Sequence, residues 1–216
     1  MVTGPEIARS EAVNLPGEFS ALLQQIGAPV GCTATSPALA GLAPKNLPAP
    51  EVFLDAYAGE ILLPLELPAI VEAFCHARRG ELRELIVQDQ RLGTALRQTP
   101  FAGPSRQVGR RHLSRLRPLR DERTVQRYLR AVEAGQAEGW HTLVYGLTLA
   151  VYSLPLRQGL FFYARETLAA LADAANGGAT EAELGWARVL DDLLEGVPAA
   201  VAASLTAHGV QGPGQE

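Results

Sequence analysis

Side chains able to do chemistry are few in this chain, and their spacing is poor for it. Four histidines (His76, His112, His141, His208) and two cysteines (Cys32, Cys75) are its whole stock of thiol and imidazole ligands. A tight metal site needs several such groups converging on one point. No two histidines stand four apart on one helix face, so no stably bound metal or cofactor is expected. A transient metal site shared between chains would draw on Cys32, Cys75 and His76. Cys75 and His76 are adjacent, so on a helix their side chains diverge by about 100° and cannot pair as nucleophile and base. Cys75 shares the apolar phase of Val71 and Phe74, which points to a buried structural thiol. The chain has no phosphate loop ending in Lys-Ser or Lys-Thr, no His-Glu-x-x-His and no Gly-x-Ser-x-Gly. No catalytic residue is assigned, and a small-molecule enzyme ranks last among the readings.

The distribution of charge says more than its total. Basic residues comprise 18 arginines and one lysine, Lys45. Between Arg78 and Arg130 fourteen arginines face five acids (Glu81, Glu84, Asp89, Asp121, Glu122), a local balance of +9 in a chain of net charge −4. Arg106, Arg110, Arg111, Arg115, Arg117 and Arg120 crowd one expected helix and its exit. The planar guanidinium suits paired carboxylates, so an acidic protein surface is the favoured partner. The block lacks the interleaved aromatics of a single-strand binder. The alternative is a helical nucleic-acid-binding or regulatory protein using segment 78–130. The plainest fate of such a run is a solvated helix face.

These side chains have to be positioned by helices. Ala and Leu, the strongest helix formers, supply 66 of 216 residues, and strand formers are sparse. The expected fold is all-α: a single domain of about nine or ten helices around a central buried helix. Residues 1–17 read as a flexible arm, 18–208 as the helical domain and 209–216 as a flexible tail. Glu18 to Ile26 forms a short helix. Phe53, Tyr57 and Ile61 mark one helix face, ended by Pro64; Pro68 opens the next helix, which stops at Gly80. Glu81 to Gln98 is amphipathic. Ser105 is the expected N-cap of a helix running to Arg117, and Asp121 starts another. Trp140 to Leu154 is apolar nearly all round and marks the centre. Leu156 to Ala175 is a long helix. Thr180 and Glu183 form a capping box for a helix ending at Glu195. Pro198 to His208 closes the domain.

No apolar run reaches the roughly 20 residues a membrane span needs, and the N-terminus does not read as a signal peptide. Two cysteines make no disulfide scaffold, so a reduced cytoplasmic protein is expected.

Several segments, taken in order, resemble the urease accessory protein family UreF. Leu22-Leu23 followed by Ala28-Pro29-Val30-Gly31-Cys32-Thr33 is similar to its N-terminal helix and turn. Ser105-Arg106-Gln107-Val108-Gly109-Arg110-Arg111 resembles its Ser-x-Gln-Met-Gly-Arg helix. His141 to Leu147 and Leu154-Pro155-Leu156 resemble its His-Pro-x-x-x-Gly run and following Leu-Pro-Leu, and Tyr163 falls where its long helix carries aromatics. The matches span roughly residues 18–195. Thr142 stands where the family has proline, and Pro104 breaks a helix that is usually continuous there. The resemblance implies an all-α, dimeric chaperone without catalytic activity. It would bind UreD (also called UreH), recruit the UreG GTPase and deliver nickel to apo-urease, handling the nickel transiently. The positions carried over as partner-binding are Ser105, Arg106, Gln107, Gly109, Arg110, Arg111, His141, Gly146 and Tyr163. Gly109 and Gly146 lie inside helical patterns, where glycine costs stability; close approach of a neighbouring helix is the reason to keep them. Trp140, Tyr145, Tyr152, Phe161, Phe162 and Tyr163 either fill the core or add to a dimer interface.

Overall fold

The structure is a computed structural model that describes residues 18–23, 50–176 and 183–210. Every regular element among them is helical. Helix α1 spans 18–23. Pro50–Tyr57 (α2), a π-helical segment Ala58–Glu66 and Leu67–Arg79 (α3) follow one another without a break. Then come α4 (Leu82–Leu96), α5 (Ala102–Arg115), α6 (Arg123–Glu133), α7 (His141–Val151), α8 (Leu156–Asn176), α9 (Glu183–Leu194) and α10 (Val197–Ala207).

The chain is all-α, as expected, but several boundaries differ, among them the end of the central helix, which falls at Val151 and not Leu154. Pro64 does not end its helix. Proline lacks an N–H, and its ring would strike the carbonyl one α-helical turn back; the backbone widens instead, and the Leu67 N–H donates five residues back to the Leu62 carbonyl. Within that segment Ala58, Leu62 and Glu66 are buried. From Pro50 onward there are thus eight continuous helices among the described residues, slightly fewer than anticipated. Ser105 is no N-cap: α5 begins at Ala102, and Pro104 sits in its first turn, where a missing N–H costs nothing. Helix α6 begins at Arg123 rather than Asp121. The capping box at Thr180 and the flanking arm and tail lie outside the described residues, apart from Gly209 and Val210.

Helix α7 is the axis. All ten residues from His141 to Ala150 are buried. It crosses α3, which is also apolar on two sides, and this pair divides the core. On one flank Ile70, Val71, Tyr145 and Leu149 meet Leu54, Tyr57, Leu160, Phe161 and Leu168, with Val197 and Val201 of α10. On the other, Ala69, Ala73, Leu143, Val144 and Leu147 meet Leu85, Leu92, Leu113, Val125, Tyr128 and Leu129. At about 25 cal/mol per Å² of apolar surface, each fully buried Leu or Val contributes about 1.5–3 kcal/mol, so Leu143, Val144, Leu147 and Leu149 of α7 contribute strongly to both flanks of the core. Of the six aromatics singled out by sequence, five lie in this chain's own core and Tyr152 is exposed.

Gly146 sets how near α3 and α7 come. A Cβ there would lie 2.4 Å from the Ile70 carbonyl oxygen and 3.0 Å from Ala73 Cβ. Gly109 does the same for α5 and the start of α7: its Cβ would fall 2.1 Å from the Gly139 carbonyl oxygen. Both glycines are therefore kept for close approach, as the helical pattern suggested. Gly146→Ala should destabilise the fold by about 3 kcal/mol, because the obstruction is backbone and overpacked sites relax poorly; chemical denaturation measures it, and a loss below about 1 kcal/mol would contradict the crossing geometry.

Helix α7 ends in a Schellman motif on a residue that is not glycine. Leu154 N–H bonds the Leu149 carbonyl and Ser153 N–H the Ala150 carbonyl, with Ser153 at φ 52°. Gly80 and Gly135 close α3 and α6 in the same left-handed way. Ser153→Gly should therefore raise stability by about 1 kcal/mol, read as a higher unfolding midpoint.

Candidate functional site

Three residues singled out by sequence, Ser105, His141 and Tyr163, come from three helices and meet in one buried chain of hydrogen bonds. Ser105 Oγ lies 2.7 Å from His141 Nδ1, and His141 Nε2 lies 2.6 Å from Tyr163 Oη. Tyr163 O–H donates to Glu66 Oε2 at 2.8 Å, and Tyr57 O–H donates to the same oxygen at 2.9 Å. The proton positions follow from this order. Tyr163 spends its one proton on Glu66, so His141 Nε2–H must donate to Tyr163, leaving Nδ1 to accept from Ser105. Each member is buried. A serine, an imidazole and a carboxylate stand in line, but closed within the core they act as a brace between the π-helical segment, α5, α7 and α8. The sequence pattern held no sign of Glu66 or Tyr57 as members. Glu66 reads as one acid among apolar residues, and the packing of distant helices around it, which local sequence does not express, encloses it.

A second buried carboxylate fixes the loop that leads into α7. Asp89, which reads as one of the solvated acids in the arginine-rich block, is fully buried. Its Oδ1 accepts Glu138 N–H at 2.6 Å, and its Oδ2 accepts Gly139 N–H at 2.9 Å and Tyr128 O–H at 2.6 Å. Trp140 Nε1–H donates to the Asp89 carbonyl at 3.0 Å. One residue of α4 therefore satisfies four donors at the entry to the central helix. Thr142, standing where the resembled family has proline, leaves its buried hydroxyl oxygen without a hydrogen-bond partner.

The arginines fall into two sets. Arg97, Arg106 and Arg110 converge on Glu138: Arg97 at 3.3 Å and Arg106 at 3.1 Å from its carboxylate, with Arg110 Nε–H donating to its backbone carbonyl at 2.8 Å. The Arg106 guanidinium also lies 5.7 Å above the Trp140 ring. Burial pushes the Glu138 carboxyl up, but the Arg106 bond and the field of all three arginines outweigh it and hold the acid below its usual range. Arg111 and Gln107 lie instead on the exposed side of α5. Gly109 and Gly146 serve the helix crossings described above.

Cys75 is buried, and burial pushes its thiol up, so it is not poised as a thiolate. His76 Nδ1 lies 2.8 Å from Glu81 Oε2, and His208 Nε2 lies 3.1 Å from Glu72 Oε1. Among the described residues, no three His, Cys, Asp or Glu side chains are grouped to hold a metal ion; Cys32 lies outside them. No helix among them is long and apolar enough to cross a membrane.

The brace has a defined pH response. Burial raises the Glu66 carboxyl to about 7, although Tyr163 and Tyr57 donate to it. Burial, with the charge of His112, lowers His141 to about 3. A raised carboxyl contributes stability that is complete below pH 4.5 and is lost as pH rises through 7; a lowered imidazole contributes stability that is lost as pH falls below 6.5. Between those limits the unfolded chain carries the proton on the imidazole and the folded chain carries it on the carboxyl. Glu66→Gln keeps an oxygen for both phenols but cannot ionise. The destabilisation it causes should therefore be greatest near pH 4.5 and shrink by about 3 kcal/mol by pH 8, measured by urea unfolding across that range.

The matches with known proteins fall on the same elements. A family model described as UreF matches residues 51–176, more than half of the chain. No curated protein and no solved structure gives a significant match. The matched span runs from α2 to the end of α8 and contains every member of the brace, both crossing glycines and the arginine cluster on Glu138. The chain belongs to the UreF family of urease accessory proteins.

Proposed function

We propose that this protein is a chaperone scaffold of urease maturation that assembles with UreD (UreH) and the UreG GTPase and delivers nickel to apo-urease. In this reading nickel is cargo handled within the complex, the chain itself catalyses nothing, and two copies work together as a dimer in the cytoplasm. The observation that carries the reading is the family match over residues 51–176. The use made of the motif residues supports it. Ser105, His141 and Tyr163 lock helices together, Gly109 and Gly146 let helices touch, and the ionisable groups nearest a catalytic arrangement are closed inside the core. A scaffold needs a rigid surface, and these residues provide the rigidity.

Co-expression with the UreD and UreG proteins of the same organism, followed by light scattering, tests this. A stable complex containing two copies of this chain, and urease activity in a cognate host that needs both nickel and this chain, are expected. Failure to bind soluble, folded UreD would overturn the assignment.

A further inference from the structure

Helices α5 and α6 lie side by side in the outer layer, and Gln126 of α6 holds their connection, its Nε2–H₂ donating to the Arg117 and Leu119 carbonyls at 3.1 and 2.9 Å. Among the arginines they present to solvent are two pairs one turn apart, Arg111 and Arg115 on α5 and Arg123 and Arg127 on α6, with Arg120 in the connection; Arg130 of α6 is exposed too but bonds its own helix at the Gln126 carbonyl. None of the first five guanidinium groups has a hydrogen bond or ion pair among the described residues, unlike Arg106 and Arg110, which Glu138 holds, and Arg117, which Glu133 holds. Arginines of like charge at i and i+4 destabilise an isolated helix, so folding alone gives no reason for this placement. The field they create is felt inside the protein: burial together with Arg115 and Arg111 pushes the His112 imidazole down to about 4.

We propose that the outer layer of α5 and α6 is the docking surface for an acidic protein partner, whose separate carboxylates pair with Arg111, Arg115, Arg120, Arg123 and Arg127. This rests on the scaffold reading and specifies the chemistry of one of its contacts. Discrete carboxylates fit better than a phosphate backbone for two reasons. The same layer exposes Asp121, Glu122 and Glu133, which a continuous polyanion would have to pass. The aromatic residue of α6, Tyr128, is buried on Asp89 and offers no face for base stacking. Guanidinium groups can instead take carboxylates two-pronged, one at a time.

The test uses the full-length chain in four forms: wild type, Arg111→Glu with Arg115→Glu, Arg123→Glu with Arg127→Glu, and Arg165→Glu, an exposed arginine of α8, as control. Unchanged circular dichroism and melting point mark each variant as folded. With UreD and UreG co-expressed, the wild type and control should give a complex that weakens as salt rises to about 0.4 M. Each double reversal should lower its recovery at least about tenfold. If the wild-type complex forms and both reversals match it, the surface is wrong while the scaffold reading stands. If the wild type gives no complex, the scaffold reading fails, and direct binding decides the surface. Fluorescence anisotropy then compares an Asp/Glu-rich peptide of about 20 residues with a DNA duplex of about 20 base pairs. Peptide binding that both reversals abolish supports the proposal. Tighter binding of the duplex, or binding of neither, overturns it.

Discussion

A helix buried on every side leaves its polar groups nowhere to go but into other parts of the protein, and α7 imposes that constraint on the whole fold. Its apolar residues are satisfied by two flanks of core, but its first residue is a histidine and its entry loop carries free backbone donors. The Ser105–His141–Tyr163–Glu66–Tyr57 chain answers the histidine. Asp89 answers the loop. A buried polar group left unpaired costs about 1–3 kcal/mol, so neither arrangement can loosen without loosening the position of α7. The two glycine contacts then fix how near α3 and α5 approach it.

This inner demand also orders the outer surface. Glu138 is held at its backbone by Asp89 and at its side chain by Arg97, Arg106 and Arg110. Those arginines therefore belong to the fold as much as to the surface. The next arginines outward, on the far side of α5 and across α6, are released from that duty. Exposed ion pairs contribute little to stability, with a median of about 0–1 kcal/mol, so the fold does not depend on pairing those outer guanidinium groups within the chain.

Much of the architecture was legible in one dimension. The all-α class followed from Ala and Leu content, and the central helix from a stretch apolar all round. Gly109 and Gly146 could be read as close-approach positions because glycine inside a helix needs a reason. Cys75 was legible as a buried thiol from its phase with Val71. Helix starts were less legible. Ser105 looks like a cap because serine favours caps, but its hydroxyl is bonded to a histidine 36 residues away, and no local pattern encodes that. Pro64 looks like a stop because an α-helix interior accepts proline poorly; here the chain carries it inside a π-helical segment.

The sequence by itself determined the helices, their apolar faces, the excess of arginine in one segment and the family motifs, since each depends on neighbours within a turn or two. Tertiary structure alone decided which acids are buried. Glu66 and Asp89 look no different from exposed acids along the chain, and they become braces because donors from distant helices, Tyr57 and Tyr163 for one and Tyr128 and the Glu138–Gly139 backbone for the other, arrive around them. An acid side chain is tolerated inside a protein where such donors replace water. Their convergence is a property of helix packing, which local sequence does not express.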